Sequence, residues 1–513
     1  MNGDQARSAE LLYGLSAIVP GETELAKKAM SSAVDAGRFD LALALARRIP
    51  AAQLASDARL LVVAEEIKRK RFANAAAWLV ANADGSDPSF LKPMILAWAT
   101  ADSGDANGAI AQLAAIPVNS PLAAFRSELS AYVLLEARRT ADAEPFARRA
   151  IGSAGPRETQ VRLALASGFL EAGNRPLAAV MLDGISAEGL FAKERLLSGK
   201  LPSRTNDTLP EIYSEIIAGL ASDLARLQRG SAPLGLAQVA RFANPANTGA
   251  SVLTALMLDL RGRTDAALAV LRSVPLDDPL IGQVRDTQVR LLTDEDKTAE
   301  ALAISTAAVR APGATFADWS RLGDAFSALN RQREAADAYT RALAGAGGSD
   351  NRSVQLWTLY LLQASALKQA GDWPAAKAAL ERAVAIAPDE PLLLNFLGYA
   401  KLEKGEDMDA AEAMIRKANR LSPDDASIID SLGWALFKRG KTDEAITTLL
   451  SAAEKDPNQS EIQEHLGDAL FTNGRRYEAR FAWRSGLLTA DDLIGKRLQA
   501  KIDGGLTSAN AAP

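Results

Sequence analysis

The sequence predicts an all-α fold, with antiparallel helix pairs stacked one on the next as an α-solenoid. Two observations carry that prediction. First, a pattern of Leu-Gly, Gly, Ala, Ala and Pro recurs toward the C-terminus: Leu397-Gly398, Gly405, Ala411, Ala418, Pro423, then Leu432-Gly433, Gly440, Ala445, Ala452, Pro457, then Leu466-Gly467, Gly474, Ala479, Gly486. Gly398, Gly433 and Gly467 lie 35 and 34 residues apart, and a fixed period of that size marks stacked helix pairs. Second, the chain is 48% hydrophobic but only 5% aromatic. It is rich in alanine, the best helix former, and no run of alternating β-branched residues suggests a sheet.

The elements follow in chain order. Residues 1–198 carry degenerate units of helix, Gly-polar turn, helix and Pro. Gly37-Arg38-Phe39-Asp40 leads to Ile49-Pro50, Gly104-Asp105 to Ile116-Pro117, and Gly173-Asn174 is a third such turn. The polar stretch from Gly199 to Pro210 breaks this pattern and is expected as a boundary or a long loop. A second degenerate region, 199–315, contains Gly262-Arg263 and Val274-Pro275. A non-repeating α-helical domain is the alternative for both regions.

Residues 316–488 read as about five repeats. The first two are Leu322-Gly323, Phe326, Ala335, Tyr339, Ala342 and Ala364, Leu367, Gly371, Ala376, Leu380, Ala383, Pro388. Within a repeat, Gly433 and Ala445 permit close approach of the two helices. Gly440 takes the left-handed position that ends the first helix, and Pro457 stops the second. Asp424-Asp425 and Asn458 are expected to cap the helices that follow them. The insert Gly345 to Asp350 lengthens one turn. Residues 489–503 are expected as a capping helix, with Thr489 and Asp492 spaced like a capping box, and 504–513 as a disordered tail of small residues.

The chemistry-bearing motifs are weak. There is no cysteine, hence no thiolate nucleophile and no acylated lipoprotein cysteine. Gly440-Lys441-Thr442 ends like a phosphate-binding loop, but Ala435 occupies the position of the first glycine. His465, the only histidine, lies near Glu461, Glu464 and Asp468, a poor ligand set for a transition metal, and directly precedes a repeat's Leu-Gly pair. No catalytic, cofactor-binding or metal residues are expected, and no cofactor. A net charge of −5 argues against a nucleic-acid footprint. Lys68-Arg69-Lys70-Arg71 is the one compact basic run, readable as a docking patch or as the solvated end of a helix. No apolar run reaches the roughly 20 residues that span a bilayer. The chain as given shows no export signal, so a cytoplasmic location is expected, or a periplasmic or outer-membrane-associated one if the start is truncated.

The 34-residue unit resembles the tetratricopeptide repeat (TPR), strongly over 391–488 and more loosely over 316–390. The resemblance implies a right-handed superhelix whose first helices (A) line a concave face. It also implies ligand contacts at the second, fifth, ninth, twelfth and thirteenth positions of each repeat. Mapped here, these give Asn395 and Tyr399, with Leu402; then Asp430, Trp434, Phe437 and Lys438; then Glu464, Asp468 and Phe471. They are the expected partner-binding residues, with packing between repeats as the alternative for Trp434 and Phe437. Members of the family that grip acidic chaperone tails use Lys, Asn or Arg at the fifth and ninth positions. Here only Asn395 fits, and Asp430, Glu464 and Asp468 repel a carboxylate.

The stretches 428–434, 465–470 and 474–480 also resemble a bacterial subgroup with envelope lipoproteins that recruit carboxyl-terminal processing proteases or assist envelope assembly. The expected function is therefore a non-enzymatic scaffold that binds a basic or apolar segment of a partner protein. An envelope adaptor is the narrower alternative, and an α-helical toroid enzyme the remote one.

Overall fold

The computed structural model describes residues 5–19, 21–79, 87–185, 189–199, 209–227, 232–311, 314–346 and 353–512. Most of the polar stretch 199–210 and of the insert 345–350 lies outside them. The described residues are helical, with no strand among them. The chain forms two compact units, residues 1–304 and 305–513.

In the first unit the four glycine turns read from the sequence join helix pairs. They are Thr23–Asp35 with Phe39–Ala46, Lys92–Asp102 with Ala106–Ala114, Glu158–Glu171 with Arg175–Met181, and Thr248–Asp259 with Thr264–Arg272. Gly37, Gly104, Gly173 and Gly262 all have positive φ. Two further pairs use the same left-handed turn without glycine: Lys70 (φ 55°) follows Ser56–Lys68, and Arg138 (φ 57°) follows Arg126–Glu136.

The basic run lies at the exposed end of helix Ser56–Lys68 and finds partners locally. Lys68 donates to the Phe242 carbonyl at 2.9 Å, while Arg69, Lys70 and Arg71 pair with Glu65, Asp102 and Glu66. This unit is not a strictly nearest-neighbour array. Helix Ala232–Ala243 packs on Ser56–Lys68 and on Thr23–Asp35. The Tyr213 hydroxyl donates to the Leu60 carbonyl (2.9 Å) and Gln238 to the Asp35 carbonyl (3.2 Å), so residues on both sides of the polar stretch share one core.

The second unit contains five A–B helix pairs. They are Phe316–Ala328 with Gln332–Gly345, Ser353–Gln369 with Trp373–Ile386, Pro391–Glu403 with Met408–Leu421, Ala426–Lys438 with Thr442–Lys455, and Ser460–Thr472 with Arg476–Leu487. The glycine of helix A faces a large side chain of helix B. A methyl group at Gly323 would meet the Tyr339 ring at 2.5 Å, at Gly398 the Ile415 side chain at 2.7 Å, and at Gly433 the Leu449 side chain at 2.6 Å; at Gly467 it would enter the Trp483 indole. Gly433→Leu is therefore expected to cost about 1–3 kcal/mol by overpacking this seam. Denaturant titration checks it, and an unchanged midpoint would contradict the seam.

The caps differ in part from expectation. Asp425 caps its helix through the amides of Ser427 and Ile428. Asn458 does not cap: Gln459 stands at the N-cap position without a side-chain bond. The last helix runs Asp492–Gly504 and is capped by Asp491, while Thr489 donates instead to the Asn458 carbonyl. The tail is ordered through Ala512, because Asn510 ties Thr507 N–H and the Gly505 carbonyl into a compact turn.

Candidate functional site

The structure divides the predicted partner-binding residues into two groups. Asn395, Tyr399 and Asp430 line an open cleft together with Lys368, Phe396, Ser427, Gln459 and Glu461. Asn395 Oδ1 is buried and has no hydrogen-bond partner among the described residues. Burial pushes the Tyr399 hydroxyl well above the usual phenol range, and the neighbouring carboxylates Asp430, Glu403, Glu461 and Glu464 push it the same way. The cleft wall is thus negative. Lys368, its one cation, pairs with Glu403 at 2.6 Å.

Of the remaining residues, Trp434, Glu464 and Asp468 are closed over. Trp434 is 1% exposed, not an open aromatic anchor. Its indole stacks on His465 at 4.1 Å and on Phe437 at 5.0 Å. Lys438 is exposed and lays its ammonium over the same indole at 4.9 Å. His465 is a packing residue whose Nδ1 meets Asp430 at 2.9 Å. Burial alone would lower the imidazole pKa, but the Asp430 carboxylate overrides it and the net shift is upward.

Glu464 and Asp468 are fully buried, because the terminal helix lies across them. Lys501, itself 0% exposed, reaches Glu464 at 2.7 Å and Asp468 at 2.8 Å, and Arg497 adds a two-pronged contact to Glu464. Asp468 also accepts from the Trp483 indole (3.0 Å) and from the Ala512 amide (3.0 Å). Burial raises the Asp468 carboxyl pKa despite its partner Lys501, whereas the Arg497 and Lys501 bonds overcome burial at Glu464 and lower its pKa. Phe471 packs on Trp483 and against Gly505, where a methyl group would meet its ring at 2.8 Å. Lys501 and Arg497 were not legible as site residues, because they lie more than 30 positions from the carboxylates they neutralise.

A second polar concavity sits in the first unit, lined by Gln160, Glu211, Glu215, Asn244, Asn247 and Asp278 among others. Burial pushes the Glu215 carboxyl up to about 7, with Glu128 and Glu211 adding and Arg157 and Gln160 opposing. A raised carboxyl favours the folded state while protonated. Its contribution is complete below the ordinary 4.5 and is lost as pH rises through about 7. Glu215→Gln should therefore gain on wild type by about 1–3 kcal/mol between pH 5 and pH 8. Thermal denaturation at both pH values checks this, and a constant gap would contradict it.

Comparison with known proteins follows this geometry. Residues 361–426 match the tetratricopeptide repeat family model, and residues 433–474 match a second model described as TPR repeat. Those two stretches are tetratricopeptide repeats. No curated protein sequence matches it significantly. Among solved structures, the APC/C hetero-tetramer Cut9-Hcn1 aligns over 97% of this chain and 99% of its own, with 16% identity and a TM-score of 0.40. YrrB, a TPR protein with an unusual peptide-binding site, aligns over 38% and 97%, with 18% identity and a TM-score of 0.29. A tetratricopeptide repeat protein from Parabacteroides merdae aligns over 48% and 96%, with 12% identity and a TM-score of 0.40. No helix among the described residues is long and apolar enough to cross a membrane.

Proposed function

We propose that the second unit is a non-enzymatic interaction scaffold and that its concave face takes a basic or apolar segment of a partner protein. The observation that supports this most is the open cleft at Asn395, Tyr399, Asp430 and Glu461, whose charge is negative and whose Asn395 carbonyl oxygen lacks a partner. A lysine or arginine side chain supplies both a donor for Asn395 and a counter-charge for the carboxylates. The helices that line the cleft are already folded, so a partner meets a pre-organised surface and little ordering is required of the scaffold. The adaptor role at an envelope protease is a narrower form of the same reading, supported by the resemblance of residues 428–480.

The test is fluorescence polarisation with labelled basic, neutral apolar and acidic peptides. Basic peptides should bind best. Glu461→Lys combined with Tyr399→Ala should weaken them by about tenfold or more, the size expected when a charge-assisted contact and an aromatic wall are lost together. Preferential binding of acidic peptides, or equal binding by the double variant, would sink the proposal.

A further inference from the structure

The carboxylates Glu464 and Asp468 stand at the same repeat positions as the cleft residue Asp430 and the buried Trp434, yet they are already engaged by residues 491–512 of the same chain. The terminal helix offers a lysine and an arginine. Lys501 is inserted between the two carboxylates and Arg497 clamps Glu464. Beyond the helix, Gly505 turns the chain with φ 84°, and Asn510 closes the turn. Ala512 then returns its amide to Asp468 and its methyl group to the cluster of Leu402, Trp434 and Leu436.

The segment joins the last helix pair through Leu488 and Thr489, which are exposed. The last helix pair has its own seam between Gly467 and Trp483, and Leu498 of the segment packs into the same core.

We propose that residues 491–512 are a resident intramolecular ligand of the concave face, and that a partner segment displaces them by presenting a lysine or arginine to Glu464 and Asp468 in place of Lys501. This inference rests on reading the concave face as the partner-binding face, and it extends that face from the open cleft into the covered one. It also assigns the competitor's chemistry: a basic side chain with a small apolar residue behind it, matching Lys501 and Ala512.

The probe is a labelled peptide with the sequence of residues 492–512, and a control peptide carrying Lys501→Glu. Full-length Arg497→Gln/Lys501→Gln, whose own tail is released, should bind the probe. Wild type should bind it about 100-fold more weakly, as expected when a docked tail leaves about 1% of molecules competent, and the control peptide should bind neither. Hydrogen exchange on the wild-type chain supplies an independent measurement. Amides of 492–512 should open at lower free energy than those of Ser460–Thr472.

Equal affinities in the two proteins, or tail amides that exchange only together with Ser460–Thr472, would overturn the proposal. If foreign basic peptides bind the cleft while tail exchange stays unchanged, the scaffold reading survives and the displaceable tail falls. If the tail opens and the probe docks but no foreign basic peptide binds, the displaceable tail survives and the scaffold reading falls.

Discussion

Lys501→Ala should destabilise the second unit by about 3 kcal/mol, the lower end of the cost of leaving buried charges unpaired. The ammonium is fully enclosed, and both its partners are buried carboxylates. Removing it leaves Glu464 with Arg497 alone, and leaves Asp468 with two neutral donors, the Trp483 indole and the Ala512 amide. The cost stays near the lower end because the terminal segment can leave and admit water to the carboxylates. Replacing the whole network with Lys501→Met, Glu464→Gln and Asp468→Asn should recover most of the loss, since apolar or neutral isosteres often match a buried ion pair. Urea denaturation of the single and triple variants measures both effects. A loss below about 1 kcal/mol in Lys501→Ala would place this network among solvated surface pairs and contradict its burial.

Trp434→Ala should cost about 3–5 kcal/mol, the range for emptying a buried aromatic site. An open binding anchor would give the opposite result, with stability nearly unchanged and binding lost. The indole is sandwiched between Phe437 and His465, with the Lys438 ammonium also over it, so its removal strips contacts from two repeats at once. It also uncovers the His465–Asp430 pair. That pair stabilises through the protonated imidazole: its contribution is complete below the ordinary 6.5 and is lost as pH rises through the higher folded value. Denaturation midpoints of wild type and Trp434→Ala measure the loss. A midpoint shift equivalent to less than about 1 kcal/mol would restore the anchor reading.

The helix pairs were legible where glycine marks the left-handed end of helix A, as at Gly37, Gly104, Gly173, Gly262 and Gly440. They were hidden where Lys70 or Arg138 adopts the same conformation. Those residues reach positive φ only because the packed helices on both sides hold them there, and no local signal announces it. The candidate site divides along the same line. Asn395, Tyr399 and Asp430 lie at a cleft because repeat periodicity fixes which face of helix A they share. The burial of Glu464 and Asp468 comes from 491–512, whose small residues carry no periodic pattern, and Trp434 is enclosed by Phe437 of its own repeat and His465 of the next. A tail rich in Gly, Ser and Ala reads as disordered from composition, and only Asn510, Lys501 and the Ala512 amide, taken together, give it a place. The capping error at Asn458 has a similar origin: the helix starts one residue later than the proline suggests, so Gln459 takes the position.

The closure of the first unit bears on how the chain is made. Helix Thr23–Asp35 and helix Ser56–Lys68 are completed by Ala232–Ala243, and the bond from Gln238 to Asp35 spans 203 residues. At ribosomal rates of about 5–20 residues per second, the early helices wait roughly 10–40 s for that partner. During that interval they expose the apolar faces that Ala237 and Ala240 later help to cover. A periodic array can settle turn by turn as it emerges. This half of the protein cannot, and a nascent chain halted before residue 232 would present an unfinished hydrophobic surface to the chaperones around the exit tunnel.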